Sequence, residues 1–199
     1  EILGSEQEEA QILKGGVVDC INNLMRVSPD SFQSALESFI PIILNYLTSN
    51  DSNLVCGCLN CIGTMNDLYP EELKPYVPDL LKITSDFAAN DLSQKFTKVR
   101  NLMEEGFSNE EITEFDDETI IEKDTFKISG GAFMVFCSLL SKNPELIPEN
   151  FELSIKLIQI LSESMIDDSN TAVCAGVEFL LIGVNEIDVQ FDPELIEKI

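Results

Sequence analysis

The sequence predicts an all-α fold, a solenoid of stacked antiparallel helix pairs. Three observations carry this. Apolar residues recur at helical spacing through most of the chain. Turn residues punctuate it at intervals that fit two-helix units. A distant internal repeat links its two ends. No segment alternates apolar and polar residues between hairpin turns, so no strand is predicted.

The elements follow in order. Over residues 6–27, Ile12, Leu13, Val17, Val18, Cys20, Ile21, Leu24 and Met25 mark one helical face. Ser28-Pro29-Asp30-Ser31 reads as a turn, because proline disfavours helix at the residue before it. Residues 32–48 carry Phe32, Leu36, Phe39, Ile40, Ile43, Leu44 and Leu47 as the partner helix. Asn50-Asp51-Ser52-Asn53 breaks the chain and offers N-cap side chains. Residues 54–69 form the next helix, ended by Pro70. Residues 71–87 form its partner, with Pro75 and Pro78 near the start as sources of a kink. A helix is expected over 91–106, with Gly106 as C-cap.

The pattern then fails. Residues 107–125 hold eight acidic residues and one Lys and read as a long acidic loop, with a short helix near 109–115. Helices resume over 127–142, 149–165 and 170–186, and 193–199 opens another. The total is about nine helices in pairs, each pair with a face it buries only by stacking on its neighbours.

The internal echo supports units of this size. Gly15-Gly16 matches Gly130-Gly131, and Pro29 matches Pro144, at an offset of 115. Asp51-Ser52-Asn53 before Val55-Cys56 matches Asp168-Ser169-Asn170 before Val173-Cys174, at offsets of 117 and 118. Three units of roughly 40 residues account for the spacing. The chain is therefore expected to be a single array over 1–199. Because it opens at Glu1 without Met and ends at Ile199 within a helical pattern, it is expected to be a slice of a longer solenoid.

Composition bounds the partners. Twelve basic residues stand against thirty-six acidic ones, a net charge of −24, with no His. Such a surface repels nucleic-acid phosphates and anionic membranes and attracts basic partners. The acidity does not mark disorder, since 44% of the chain is hydrophobic and it holds twelve Phe. No apolar run reaches a membrane span, so no membrane insertion is expected. The six Cys lie within apolar helical patterns and read as reduced, small core residues.

Chemistry finds little foothold. Cys56-X-Cys58-X-X-Cys61 lacks a fourth zinc ligand, and its three residues do not share one helical face. A Cys or Ser nucleophile lacks the histidine base it ordinarily uses. Gly15-Gly16 and Gly130-Gly131 lack the Gly-Lys-Ser/Thr ending of a phosphate loop and read as close helix packing or a kink. No catalytic residue, cofactor or metal is expected.

The candidate binding residues are acids. Glu110, Glu111, Glu114, Asp116, Asp117, Glu118, Glu122 and Asp124 form either a solvated loop or an acidic arm for a basic partner. Glu71, Glu72, Asp79 and Asp86 fall on one predicted second helix, and Glu149, Glu152 and Glu163 on another. Either set is an ordinary solvated face or a docking face for basic segments.

The Asp-Ser-Asn turn, the small-residue helix Val55-Cys56-Gly57-Cys58, the proline break and Pro75-Tyr76-Val77-Pro78-Asp79-Leu80-Leu81 resemble HEAT repeats. Among HEAT proteins, the acidity, the absent His and the run from Glu71 to Leu81 look most like importin-β type nuclear transport receptors. That resemblance implies a curved superhelix holding basic cargo segments and Ran-GTP on inner helices and Phe-Gly nucleoporins between outer ones. It also implies residence in both cytoplasm and nucleus. It covers nearly the whole chain except 107–125, which lacks the pure Asp/Glu run of the family's acidic loop. A non-transport HEAT scaffold or adaptor is the alternative.

Overall fold

The computed structural model describes residues 2–49, 51–89, 117–162 and 167–185, with side chains described for 13–49, 51, 53–89, 128–162 and 171–182. The described residues form helices and short turns, with no strand among them. The chain divides into two compact units, Glu1–Leu80 and Leu81–Ile199.

The first unit begins with α1 (Ile2–Val27). Ser28 follows as a single corner residue. After it come a short turn of helix, α2 (Pro29–Phe32), a 3-10 turn over Gln33–Ala35, and α3 (Leu36–Tyr46). Asp51 then caps α4 (Ser52–Leu68): its carboxylate accepts from the backbone N–H of Asn53 at 3.0 Å and of Leu54 at 3.3 Å. That satisfies two of the donors that a helix start leaves open. Tyr69 is the second corner. It leads into α5 (Pro70–Leu73), a 3-10 turn over Lys74–Tyr76, and α6 (Val77–Ala89).

The second unit contains the end of α6, then α7 (Asp117–Lys142), a third corner at Asn143, a 3-10 turn over Pro144–Leu146, α8 (Ile147–Ser162) and α9 (Asp167–Asn185).

The three corners are built alike. Ser28 has φ −141° and ψ 65°, Tyr69 −137° and 53°, Asn143 −129° and 64°. Each precedes a proline, which bars the corner residue from helical dihedrals. Each closes the helix behind it with its own N–H: Ser28 to Leu24 O at 2.9 Å, Tyr69 to Met65 O at 2.7 Å, Asn143 to Leu139 O at 3.1 Å. Each then accepts the first bond of the helix ahead, from Phe32, Leu73 and Leu146 respectively. The proline costs nothing there, because a first-turn N–H has no helical partner to lose.

A 3-10 turn follows all three corners, and a second proline accompanies two of them. The 3-10 turns Lys74–Tyr76 and Pro144–Leu146 open four residues before Pro78 and Pro148. A proline cannot donate to the carbonyl four residues back, which suits a tightened turn there, although the Gln33–Ala35 turn forms with Glu37 in that place. The expected single helix over 71–87 is thus two segments around this turn.

Burial repeats from corner to corner. Counting from the corner proline, the seventh, eleventh, fourteenth and eighteenth residues are buried in both halves of the first pairing: Leu36, Ile40, Ile43 and Leu47 after Pro29, and Val77, Leu81, Thr84 and Ala88 after Pro70. The buried hydroxyls of Thr84 and Ser85 bond back to Leu81 O and Lys82 O, which removes the cost of burying them. On the helices before the corners, Val18, Leu59 and Phe133 are buried at one equivalent position, and Ile21, Ile62 and Phe136 at the next.

One expectation is overturned. The acidic loop expected over 107–125 is helical from Asp117 onward, so Asp117, Glu118, Glu122 and Asp124 belong to the start of α7. Acid density suggested a solvated loop, but residues 107–129 contain neither Pro nor Gly. Glu is also a good helix former. The remaining acids of that stretch, Glu110, Glu111, Glu114 and Asp116, lie outside the described residues, as do the helices expected over 91–106 and 193–199, and Glu163.

Candidate functional site

Three helix–helix seams define what these surfaces can do. In the first unit, α4 lies against α1 at a glycine. A methyl added at Gly57 would meet Val18 Cγ1 at 3.2 Å. Cys61 donates its S–H to Val18 O at 3.5 Å, and Arg26 donates to Thr64 Oγ1 at 2.9 Å. At the corners, Tyr69 donates its hydroxyl to Pro29 O at 2.9 Å, and the Gln33 amide donates to the Glu72 carboxylate.

In the second unit, α9 lies against α7 in the same manner. A methyl at Gly130 would meet Ala172 Cβ at 3.1 Å, and one at Gly176 would strike the Phe133 ring. Ser129, at the head of the buried part of α7, donates to Phe87 O at 3.0 Å. The hydrogen bonds that cross between elements in these seams join residues 38 to 43 apart.

Three of the six cysteines belong to this packing; Cys56 is half-buried, and Cys20 and Cys174 are exposed, against the expectation of small core residues. Cys58, Cys61 and Cys137 are buried free thiols. Burial pushes the Cys58 and Cys61 thiols up to about 12, with Cys58 and Asp19 adding at Cys61 against Arg26, and burial pushes Cys137 up as well. Such thiols stay protonated near neutral pH and are poor nucleophiles. Among the described residues, no three His, Cys, Asp or Glu are placed to hold a metal ion. Tyr69 is raised too, by burial first and then by Asp30 and Glu72.

The glycine pairs divide. Gly130 is a close-packing point, as expected. Gly15 and Gly16 are not, since nothing lies within 4 Å of a methyl placed at either.

The predicted acids on the second helix are distributed as follows. Glu71, Asp79 and Asp86 are exposed and Glu72 is half-buried. Glu72 already accepts from Gln33, so it is partly committed to the seam. Asp79 and Asp86 stand two turns apart on α6, and exposed Lys82 falls between them at spacings of three and four residues. Exposed Lys74 also follows Glu71 by three residues, so two cations interrupt this acidic run. Glu149 and Glu152 are exposed on α8. What sequence reasoning missed is the seam role of Glu72; its opposite number, Gln33, lies 39 residues away, one repeat interval, and was the available signal.

No protein-family model, curated protein or solved structure matches the chain. Among the described residues, no helix is long and apolar enough to cross a membrane.

Proposed function

We propose that this chain is a protein-binding scaffold, a HEAT-type solenoid that performs no chemistry and holds basic segments of partner proteins. The carrying observation is the interval of 38 to 43 residues between bonded partners in its seams. Among the described residues, these bonds join neighbouring units, as expected of quasi-linear stacking. The three equivalent corners support the same reading, because each repeats one helix–corner–helix unit.

A net charge of −24 and the exposed acids Glu71, Asp79, Asp86, Glu149 and Glu152 suit basic partners. The specific form we propose is an importin-β type transport receptor, carrying basic cargo and engaging Ran-GTP and Phe-Gly nucleoporins in cytoplasm and nucleus. The resemblance of the Glu71–Leu81 run supports it.

Binding of a lysine-rich peptide, measured by titration at low and high salt with an acidic peptide as control, tests the scaffold reading. Salt-sensitive binding that weakens in the triple variant Glu71→Lys, Asp79→Lys, Asp86→Lys is the expected result. Absence of binding at low salt overturns it. A Phe-Gly repeat peptide separates the forms: a transport receptor binds it, and another scaffold does not.

A further inference from the structure

The three corners share a backbone and differ in what their side chains do. Tyr69 and Asn143 are buried and committed. Tyr69 donates its hydroxyl to Pro29 O at 2.9 Å, and Asn143 donates its amide to Leu139 O at 2.9 Å. Ser28, at the same place in the first corner, is exposed, and its hydroxyl makes no cap bond to the helix ahead. That corner is held through the backbone of Ser28 instead, by its N–H to Leu24 O and its C=O to the N–H of Phe32.

The sequence adds an independent feature. Ser28-Pro29 is the one place in the 199 residues where Ser or Thr precedes Pro. Proline-directed kinases read that dipeptide. They seat the ring in a pocket beside the acceptor hydroxyl, and they need non-helical backbone at the acceptor. The folded corner already supplies it, with φ −141° and ψ 65° at Ser28. The proline enforces those dihedrals.

A third feature says what a phosphate there does. Arg26 lies in the last turn of α1, two residues before Ser28. Two residues of chain span at most about 7 Å. The Arg26 guanidinium donates to Thr64 Oγ1 at 2.9 Å, a bond from α1 to α4 across the first seam, and Thr64 is buried. A phosphoserine is an anion with three strong acceptor oxygens, and it pairs with a guanidinium more strongly than a neutral hydroxyl does. Repulsion from exposed Asp30, two residues on, acts in the same direction.

We propose that Ser28 is a phosphoacceptor for a proline-directed serine/threonine kinase, and that its phosphate takes Arg26 from Thr64 and loosens α1 from α4. In the step, Ser28 Oγ attacks the γ-phosphorus of ATP. The Oγ–P bond forms as the bond to the bridging oxygen breaks. ADP leaves, and the hydroxyl proton passes to a carboxylate of the kinase. The first seam becomes adjustable by a charge placed at its rim.

The test incubates the folded 199-residue chain with a mitogen-activated protein kinase and MgATP. A synthetic peptide of residues 22–34 is the control for the dipeptide alone. Phosphate at Ser28, located by mass spectrometry and absent in Ser28→Ala, is expected on both. Phosphorylation of the peptide but not of the folded chain, of neither, or of other residues in place of Ser28 overturns the site. The consequence is read separately, by hydrogen exchange of the α4 amides around Thr64. Phosphorylation is expected to speed it roughly fivefold, the effect of losing one such bond. Arg26→Ala and Thr64→Val, which remove the bond from either side, are expected to exchange faster from the start and to gain less on phosphorylation. Unchanged exchange in the phosphorylated chain, or a gain undiminished in both variants, overturns the part given to Arg26.

Discussion

The seams of the two units use one device with different fillings. In the first, the glycine at 57 receives the aliphatic Val18, and the surrounding contacts are small or polar: Cys58, Cys61, Thr64 and Arg26. In the second, the glycine at 176 receives the ring of Phe133, with Phe136 fully buried nearby on the same helix. The two knobs, Val18 and Phe133, are equivalent in position, each ten residues before its corner, and differ in volume. A seam between stacked helices thus specifies a notch and a knob, and leaves their chemistry free so long as the sizes match.

The comparison can be broken most directly at its larger knob. Phe133→Ala empties the Gly176 notch, and a loss of about 3–5 kcal/mol in unfolding free energy is expected, read by denaturant titration of the whole chain. A loss below ~1 kcal/mol would show that the ring is not seated in the notch.

Filling the notch instead of emptying it comes next. Gly176→Ala places a methyl against the Phe133 ring, and overpacking of this kind costs about 1–3 kcal/mol. The ring has little freedom to give, because it is fully buried. Thermal unfolding of the variant beside the parent measures the effect, and an unchanged or raised midpoint contradicts the close approach.

Removing a cap tests the local frame of the first seam. Asp51→Ala deletes the acceptor for two backbone donors at the start of α4, and a loss of about 1 kcal/mol is expected. Hydrogen exchange at Asn53 and Leu54 should rise together; no change at either amide would place the cap elsewhere.

The smallest expected effect has the opposite sign. Gly16→Ala removes a helix glycine from open space and should stabilise the 199-residue chain by up to about 1 kcal/mol. A destabilised variant would mean that Gly16 is already packed. Set beside Gly176→Ala, it compares one substitution at an open helix glycine and at a filled one.

Much of this was legible in the chain. The turn at Ser28-Pro29, the cap at Asp51 and the break at Pro70 were readable because proline and capping residues act over a few neighbours. Burial of Cys58 and Cys61 was readable from their shared helical face. The extent of α7 was not. The charge of residues 117–125 points to a loop, although the absence of Pro and Gly there favours helix. Among the candidate acids, Asp79 and Asp86 are exposed, with Lys82 between them.

What the sequence by itself determined is the order of the described helices and their corners, since dihedral preferences and 3.6-residue periodicity are local properties. It also determined the excess of negative charge. Only the tertiary structure decided which glycine is a notch and which is open, and which of two equivalent leucines is covered. Gly16 and Gly57 have the same place in their helices, as do Leu13 and Leu54. Their difference lies wholly in whether a neighbouring helix stands within van der Waals reach, and that is a property of the stack, not of the residue.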